Sequence, residues 1–250
     1  FFDTLFKNIS SSTRRFKIIN NHSKHLKVSN IQLMGGDNSK FRINIDGEPT
    51  SSRKDVKIRP NDSLYIFVEL TIDQSKPSNP YLVRDSIRFV TNSNTQYVRL
   101  KAYGRHAVIH RREEITSDQT WDSDSAHLIV DYAIVDSNVT LNVEKGTEIY
   151  ATGGSSLFVF GSLQVNGTTD EQVYFQGARP EESFKNIPGQ WRGIRLLPSS
   201  KNNFINHAVI DEGIVGIQVD SFASNNNVKL DLRNSRISNM SQVGLAAFSS

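Results

Sequence analysis

A short glycine-led apolar segment occurs three times in the last quarter of the sequence. GIRL (193–196), GIQV (216–219) and GLAA (244–247) follow one another at steps of 23 and 28 positions. Repeats of this length that hold several short strands predict a solenoid, whose coils stack at the strand spacing of about 4.8 Å. Ile194 and Leu196 should then point inward, because alternate strand residues share a face, and the glycine should stand at a corner.

Apolar and polar residues alternate with period two along nearly the whole chain, and helical stripes are hard to find. This pattern predicts an all-β fold. In residues 1–106, strands of five to nine residues are separated by turn-rich segments, as in a seven-strand-type β-sandwich. Residues 107–120 are predicted to be a linker, and residues 121–250 the first coils of the solenoid.

Both halves resemble known β domains. Residues 121–250 resemble the right-handed parallel β-helix of the pectate-lyase-like superfamily, through the segments TLNVEKGTEIYA, SLFVFGSLQVNGTTDEQVYFQG, WRGIRL and AVIDEGIVGIQV. Residues 1–106 resemble the immunoglobulin-like domain of the major-sperm-protein and flagellar-associated type, through FKIINNHSKHLKVSNIQL, FRINIDG, IRPNDSLYIFVELTID and VRLKAYGR. The resemblance implies an immunoglobulin-like β-sandwich followed by the first coils of a right-handed parallel β-helix.

In this order, with FFDTLF at the front, the two halves are similar to a group of Bacteroidota-type surface lipoproteins. The resemblance implies export and an outer-membrane location, with a lipid anchor on a cysteine upstream of this sequence. It implies a non-catalytic surface scaffold whose partners are other outer-membrane or surface proteins. The alternative is a protein that binds surface glycans, or degrades them as a polysaccharide lyase or hydrolase.

Composition narrows the range of functions. The chain has no cysteine, which excludes disulfides and thiolate metal sites. Its net charge of +3 comes from 29 basic and 26 acidic residues spread along the chain, and basic runs are short, so nucleic acid is not an expected partner. No apolar run approaches the roughly 18 residues of a membrane helix. No cofactor is expected either, because GxGxxG, Walker A, HExxH and GxSxG motifs do not occur.

Three residues are candidate glycan contacts, namely Trp191, Arg195 and Asp211. Asp211 is followed by Glu212, but consecutive strand residues face opposite ways, and a paired acid site needs two carboxyls in one groove. We therefore predict no catalytic residue. His106 and His110 are four residues apart, but zinc would need a third ligand that the sequence does not suggest, so no metal site is predicted.

Two further expectations concern modification and length. Asp-Ser/Thr-apolar triplets match a short O-glycosylation motif of exported proteins in this bacterial group, and Ser125 and Thr4 are its candidate sites. The sequence stops at GLAAFSS, within a repeat and before any closing segment. Since an open coil leaves backbone groups and apolar side chains uncovered, we expect the natural protein to continue for several more coils.

Overall fold

The computed structural model describes residues 4–6, 13–70, 81–92, 94–179, 184–220 and 228–248. Over these ranges the chain is built of β-strands with one short 3-10 helix, Gly36–Asn38, and the predicted all-β fold is confirmed. None of the described helices is long and apolar enough to span a membrane. The chain divides into two compact units, Phe1–His106 and Ala107–Ser250, here called unit 1 and unit 2.

Unit 1 consists of two sheets. Its strands are β1 (Thr4–Phe6), β2 (Arg14–Asn20), β3 (Leu26–Leu33), β4 (Phe41–Ile45), β5 (Glu48–Pro49), β6 (Ser52–Ile58), β7 (Asp62–Leu70), β8 (Tyr81–Thr91) and β9 (Asn94–Arg105). The five-stranded sheet has the order β1-β9-β8-β3-β6, and the four-stranded sheet has the order β2-β7-β4-β5. The pair β1–β9 is parallel, and the other described pairs of unit 1 are antiparallel.

The alternation seen in the sequence produces the core of unit 1. In β7 every second residue is buried, from Leu64 through Ile66 and Val68 to Leu70. These residues share one hydrophobic cluster with inward residues of the five-stranded sheet, such as Ile31. The two sheets therefore cover a common core and leave their polar residues on the outer faces.

Unit 2 is a stack of parallel strands. They are β10 (Ala107–Ile115), β11 (Gln119–Trp121), β12 (Ala126–Val135), β13 (Thr140–Glu144), β14 (Glu148–Ala151), β15 (Ser156–Val159), β16 (Ser162–Asn166), β17 (Val173–Gly177), β18 (Gly193–Leu196), β19 (Asn203–Asn206), β20 (Ala208–Asp211), β21 (Val215–Asp220), β22 (Leu230–Arg233), β23 (Arg236–Ser238) and β24 (Val243–Phe248). A ten-stranded sheet has the path β23-β20-β17-β14-β12-β15-β18-β21-β24, with β10 beside β12, and a second sheet has the order β11-β13-β16-β19-β22.

The long strand β12 explains how the chain winds. Its first part pairs with β14 and its last part with β15, so the ten-stranded sheet has two arms that meet at β12. From β13 onward the chain passes through the second sheet, then the β14 arm, then the β15 arm, and it follows this path four times in all. Each turn of the path is one coil, and the inward side chains of successive coils form a continuous hydrophobic core.

The glycine-led repeats pair as predicted. Ile194 lies beside Ile217, and Ile217 beside Leu245, in three neighbouring coils. Ile194 and Leu196 are buried in the core, which confirms their inward orientation. The predicted solenoid of stacked parallel strands is thus what unit 2 contains.

Residues 107–120, predicted to be a linker, instead begin the solenoid. Strand β10 pairs in parallel with β12 from Ala107 beside Ala126 to Ile115 beside Val135. This strand was not predicted because four consecutive charged residues, 111–114, interrupt the alternation of apolar and polar residues. A register shift between Arg111 and Glu113 turns the charged side chains outward and leaves Ile115 buried.

Candidate functional site

The indole that the sequence offers as a glycan contact lies inside unit 2. Trp191 precedes β18 and is 0% exposed. Its Nε1 donates a hydrogen bond to the backbone oxygen of Asp211 at 2.8 Å. An indole without an exposed face cannot stack on a sugar ring. Trp191 is therefore a core residue, and its assignment as a glycan contact is corrected.

The other two candidate contacts lie on different arms of the ten-stranded sheet. Arg195 is exposed on β18, and its Nε donates to Asp220 Oδ2 at 2.5 Å. Asp211 ends β20, is half-buried, and accepts a hydrogen bond from Asn239 Nδ2 at 2.8 Å. Trp191 and Asp211 are joined by the indole hydrogen bond, whereas Arg195 is engaged with Asp220. Each charged side chain is thus held by the following strand or coil.

Asp211 and Glu212 have separate partners. The carboxylate of Glu212 accepts hydrogen bonds from the backbone N–H groups of Gly177, at 3.2 Å, and Asn186, at 2.8 Å. Burial raises the pKa of Glu212, and these backbone donors oppose that shift. Glu212 therefore ties the segment before Trp191 to the solenoid, and the geometry does not direct the two carboxyls into one groove.

The candidate O-glycosylation sites differ in what surrounds them. Ser125 is half-exposed between β11 and β12 and borders an open depression of about 740 Å³. Thr4 begins β1, and its side chain lies outside the described part of the structure. Ser125 thus remains a candidate for modification.

Polar side chains of unit 2, one of them the buried Asn203, form hydrogen bonds between neighbouring coils. Asn203 links three of them, because its Oδ1 accepts from the backbone N–H of Leu163 at 2.8 Å and its Nδ2 donates to the backbone oxygen of Lys229 at 2.8 Å. At the next corner Asn234 Nδ2 donates to Asn206 Oδ1 at 2.9 Å. These bonds satisfy polar groups along the stack and hold the coils in register.

A cluster of three aromatic side chains lies at the first coil, beneath the 740 Å³ depression. The ring planes of His110 and His127 are nearly parallel, at 10°, and His110 Nε2 lies 2.9 Å from His127 Nδ1. Both imidazoles stack on the indole of Trp121, with ring centroids 4.2 and 4.9 Å away. All three side chains are almost fully buried. The hydrogen-bonded imidazole pair therefore covers one face of the indole.

Each end of the imidazole pair has an oxygen partner. His110 Nδ1 contacts Glu113 Oε2, and His127 Nε2 lies 3.2 Å from the backbone oxygen of Asp122. Burial lowers the pKa of His110, and Glu113 opposes that shift. Burial, and then the proximity of His110, lower the pKa of His127 to about 4. Burial thus favours the neutral form of both rings. Two neutral rings carry two N–H groups, one of which joins the pair, so only one of the two oxygens receives a ring proton.

Sequence reasoning missed this cluster. It considered His110 only with His106, at helical spacing, whereas His110, Trp121 and His127 come from three different strands. The sequence contains little indication of this cluster. Histidine and tryptophan at inward strand positions do not show which of these side chains will contact one another. In the described ranges no three His, Cys, Asp or Glu side chains come together as metal ligands.

The imidazole pair predicts acid sensitivity of unit 2. The pKa of His127 is about 4 in the folded chain and about 6.5 when unfolded, so the unfolded state binds more protons between these values. The contribution of neutral His127 to the free energy of unfolding is therefore fully present above the unfolded pKa. It is lost as the pH falls from there toward the folded pKa of about 4. From pH 7 to pH 5 we expect a loss of about 2 kcal/mol in the free energy of unfolding. Urea unfolding followed by tryptophan fluorescence measures unit 2, because both tryptophans lie there.

The matched controls for this prediction are His127→Gln and His22→Gln. His22 is exposed in unit 1, so its loss should leave the pH dependence unchanged. His127→Gln should remove most of the dependence between pH 7 and pH 5. An unchanged pH dependence in that variant would show that the imidazole pair is not the cause.

Comparisons with known proteins do not identify the chain. No protein family matches the sequence, and no curated protein sequence matches it. A family 123 glycoside hydrolase of Clostridium perfringens is similar at a TM-score of 0.28 and 10% identity, over 42% of this chain and 22% of that one. The Pseudomonas aeruginosa chaperone CupB2 is similar at a TM-score of 0.26 and 10% identity, over 42% of this chain and 53% of that one. The E. coli chaperone DraB is similar at a TM-score of 0.25 and 11% identity, over 41% of this chain and 51% of that one. Each likeness covers less than two thirds of the other protein, and TM-scores this low assign neither fold family nor function.

Proposed function

We propose that this chain is a non-catalytic scaffold of the bacterial cell surface. In this proposal unit 1 is an immunoglobulin-like sandwich and unit 2 is a right-handed parallel β-helix. The protein is exported as a Bacteroidota-type lipoprotein, with its lipid on a cysteine upstream of this sequence, and acts within an outer-membrane assembly. The sequence resemblance motivates the family and the location.

The observation that carries the scaffold role is that polar side chains of unit 2 are engaged in hydrogen bonds between coils. Asn203, Asn206 and Asp211 accept or donate hydrogen bonds across coil boundaries. Arg195 is paired with Asp220. A catalytic groove needs charged groups that converge on one space, whereas these groups bond along the stack. Such a stack presents a long polar surface suited to contacts with other proteins.

Co-purification tests the scaffold role. The full-length protein, tagged at its C-terminus, is expressed in its own host and recovered from detergent-solubilised outer membranes. The proposal expects defined outer-membrane or surface proteins to be retained with it, and to be absent when the same tag is placed on an unrelated lipoprotein. Recovery of the protein alone, from the soluble fraction, would contradict the proposal.

A glycan-directed function is the second candidate, and one surface feature favours it. A depression of about 260 Å³ on the outer side of the β15 arm is lined by Phe158, Arg192, Arg195 and Gln218. It offers an aromatic edge and two guanidinium groups to a sugar chain. This candidate expects retention on uronate-rich polysaccharides that falls in Arg192→Ala and not in Lys201→Ala, an exposed cation outside the depression. Release of reducing ends or unsaturated products would favour this function over the scaffold.

A further inference from the structure

The positive charge of the chain is not evenly divided. Unit 1 contains 18 Lys and Arg residues against 9 Asp and Glu, a formal charge of +9. Unit 2 contains 11 basic against 17 acidic residues, a formal charge of −6. The modest total of +3 conceals this asymmetry, and the expectation of evenly spread charge is corrected. A strong charge difference between two units is a physical argument about the partners of each.

The charge of unit 1 is concentrated on the outer face of its five-stranded sheet. Ile87 of β8 and Leu100 of β9 lie in the core, so residues one position away in each strand face outward. Three outward cross-strand pairs follow from the register: Arg84 with Lys101, Ser86 with Arg99, and Arg88 with Tyr97. These six residues comprise four cations, one serine and one tyrosine. We call them the basic face.

The basic face brings like charges close together. Arg84 and Lys101 are directly opposite each other, and Cβ atoms in such pairs are about 4.5–5.5 Å apart. Arg84 and Arg99 are exposed, and Tyr97 is 55% exposed. Like charges directly opposite each other destabilise a sheet. An anion that lies over such a pair reduces the repulsion between the two cations.

The same sheet extends the positive surface toward β6. Lys27 of β3 is directly opposite Lys57 of β6, and Asp55 contacts Lys27 at 2.6 Å. Lys54 faces outward beside Asn30. The cations thus cross the sheet from β9 to β6, a width of four strands or about 15 Å at the usual spacing. A surface of this width fits an extended polyanion better than a single small anion.

We infer that the basic face of unit 1 binds an acidic polysaccharide, through carboxylate or sulfate groups on successive sugars. Guanidinium groups bind such oxyanions with two parallel hydrogen bonds. Ser86 and Tyr97 add hydroxyl groups, and the tyrosine ring adds an apolar face, both of which a sugar can contact. This binding uses unit 1 and no protein partner, so it goes beyond the scaffold role and does not rest on it.

Two other polyanionic surfaces fit less well. Sequence-tolerant binding of single-stranded nucleic acid uses several aromatic rings on which successive bases stack, and the basic face has one ring. Binding to an anionic membrane surface combines cations with large apolar side chains that enter the lipid. The three cross-strand pairs of the basic face contribute one such side chain, Tyr97, whose ring also carries a hydroxyl group. Alternating cations and hydroxyl groups therefore favour the polysaccharide.

The test compares two double variants of the same chain. Arg84→Ser with Arg99→Ser removes two cations from the basic face, and Arg15→Ser with Lys17→Ser removes two exposed cations from β2 in the four-stranded sheet. Binding is measured by calorimetry with polygalacturonate and dextran sulfate as probes and neutral dextran as the blank. Single-stranded DNA and phosphatidylglycerol vesicles serve as competing polyanions. Circular dichroism establishes that both variants fold.

We expect the wild-type chain to bind at least one acidic probe and not dextran, with an affinity that falls as salt rises. The basic-face variant should bind at least tenfold more weakly, and the β2 variant less than twofold more weakly. Equal losses in the two variants would show attraction by net charge alone and overturn the proposal. So would absence of binding, or tighter binding to single-stranded DNA or phosphatidylglycerol vesicles. Outer-membrane co-purification is unaffected by either result, so the two proposals fail separately.

Discussion

Replacing Gly193 by alanine is expected to destabilise unit 2 by more than about 4 kcal/mol. Gly193 begins β18 with φ +110°, a conformation that side chains rarely adopt. A Cβ atom there would lie 1.7 Å from the carbonyl oxygen of Val215 in the next coil. Because that neighbour is backbone, relief requires β18 and β21 to separate. The loss should appear in urea unfolding followed by tryptophan fluorescence, as a large fall in the midpoint or as absence of the folded baseline.

Gly154→Ala is the matched control for this prediction. Gly154 also has a positive φ, at +79°, but a Cβ atom there would meet nothing within 4 Å. Its replacement should cost about 1–2 kcal/mol, from backbone strain alone. Equal effects of the two substitutions would show that strain, and not close approach between coils, determines the need for glycine at 193.

Trp191→Ala is expected to lower the free energy of unfolding of unit 2 by about 3–5 kcal/mol. The indole is fully buried in the hydrophobic cluster of the solenoid, and its removal leaves a large cavity. It also leaves the backbone oxygen of Asp211 without its indole donor. Trp121 remains as the fluorescent reporter in the same unit.

Trp191→Phe separates packing from hydrogen bonding. It keeps most of the apolar volume and removes the Nε1 donor, so we expect a loss of about 1–2 kcal/mol. If Trp191 were a glycan contact, Trp191→Ala would instead abolish retention on polysaccharide and leave stability unchanged. That outcome would contradict the burial of the indole.

The sequence pattern predicts the repeating part of the fold correctly, because every second residue of its strands is buried. Ile194 was predicted to face inward and the GIRL and GIQV segments to stack, and the structure pairs Ile194 with Ile217. The same reasoning does not give the alignment of every strand. AVID (208–211) pairs with the strand at 236–238 at an offset of 27, so that Ile210 lies beside Ile237. The sequence steps of 23 and 28 between the glycine-led segments do not give this offset.

The candidate site residues were harder to predict because coil length varies. The step from Leu157 to its partner Ile194 is 37 positions, whereas the step from Ile194 to Ile217 is 23. The longer coil contains the segment before Trp191, and its length gives no sign that the indole turns inward. The surroundings of Trp191 are set by Asp211 and Gly213, twenty or more positions away. Local pattern therefore gives the face of a residue within a strand and not the contacts of a residue at a corner.

The basic face is another feature that the local sequence pattern does not predict, because it is formed by pairing between strands. Arg84, Arg88, Arg99 and Lys101 are unremarkable in the sequence, because each stands alone among neutral residues or beside an aspartate. Antiparallel pairing of β8 with β9 brings them together. A count of charge over the whole chain averages them against the acidic unit 2. Only the division into two units and the strand register reveal the concentration of charge.

Disulfide trapping tests the stacking of coils most directly, since the natural sequence has no cysteine. Arg195 and Gln218 are aligned in neighbouring coils, so Arg195→Cys with Gln218→Cys places two thiols within bridging range. Arg195→Cys with Asp220→Cys shifts one thiol by two residues along the same strand, to a diagonal Cα distance of about 7–8 Å. Mild oxidation followed by thiol counting on the monomer should show rapid closure of the aligned pair and slow closure of the shifted one. Equal rates, or faster closure of the shifted pair, would contradict the coil register on which the proposed scaffold role depends.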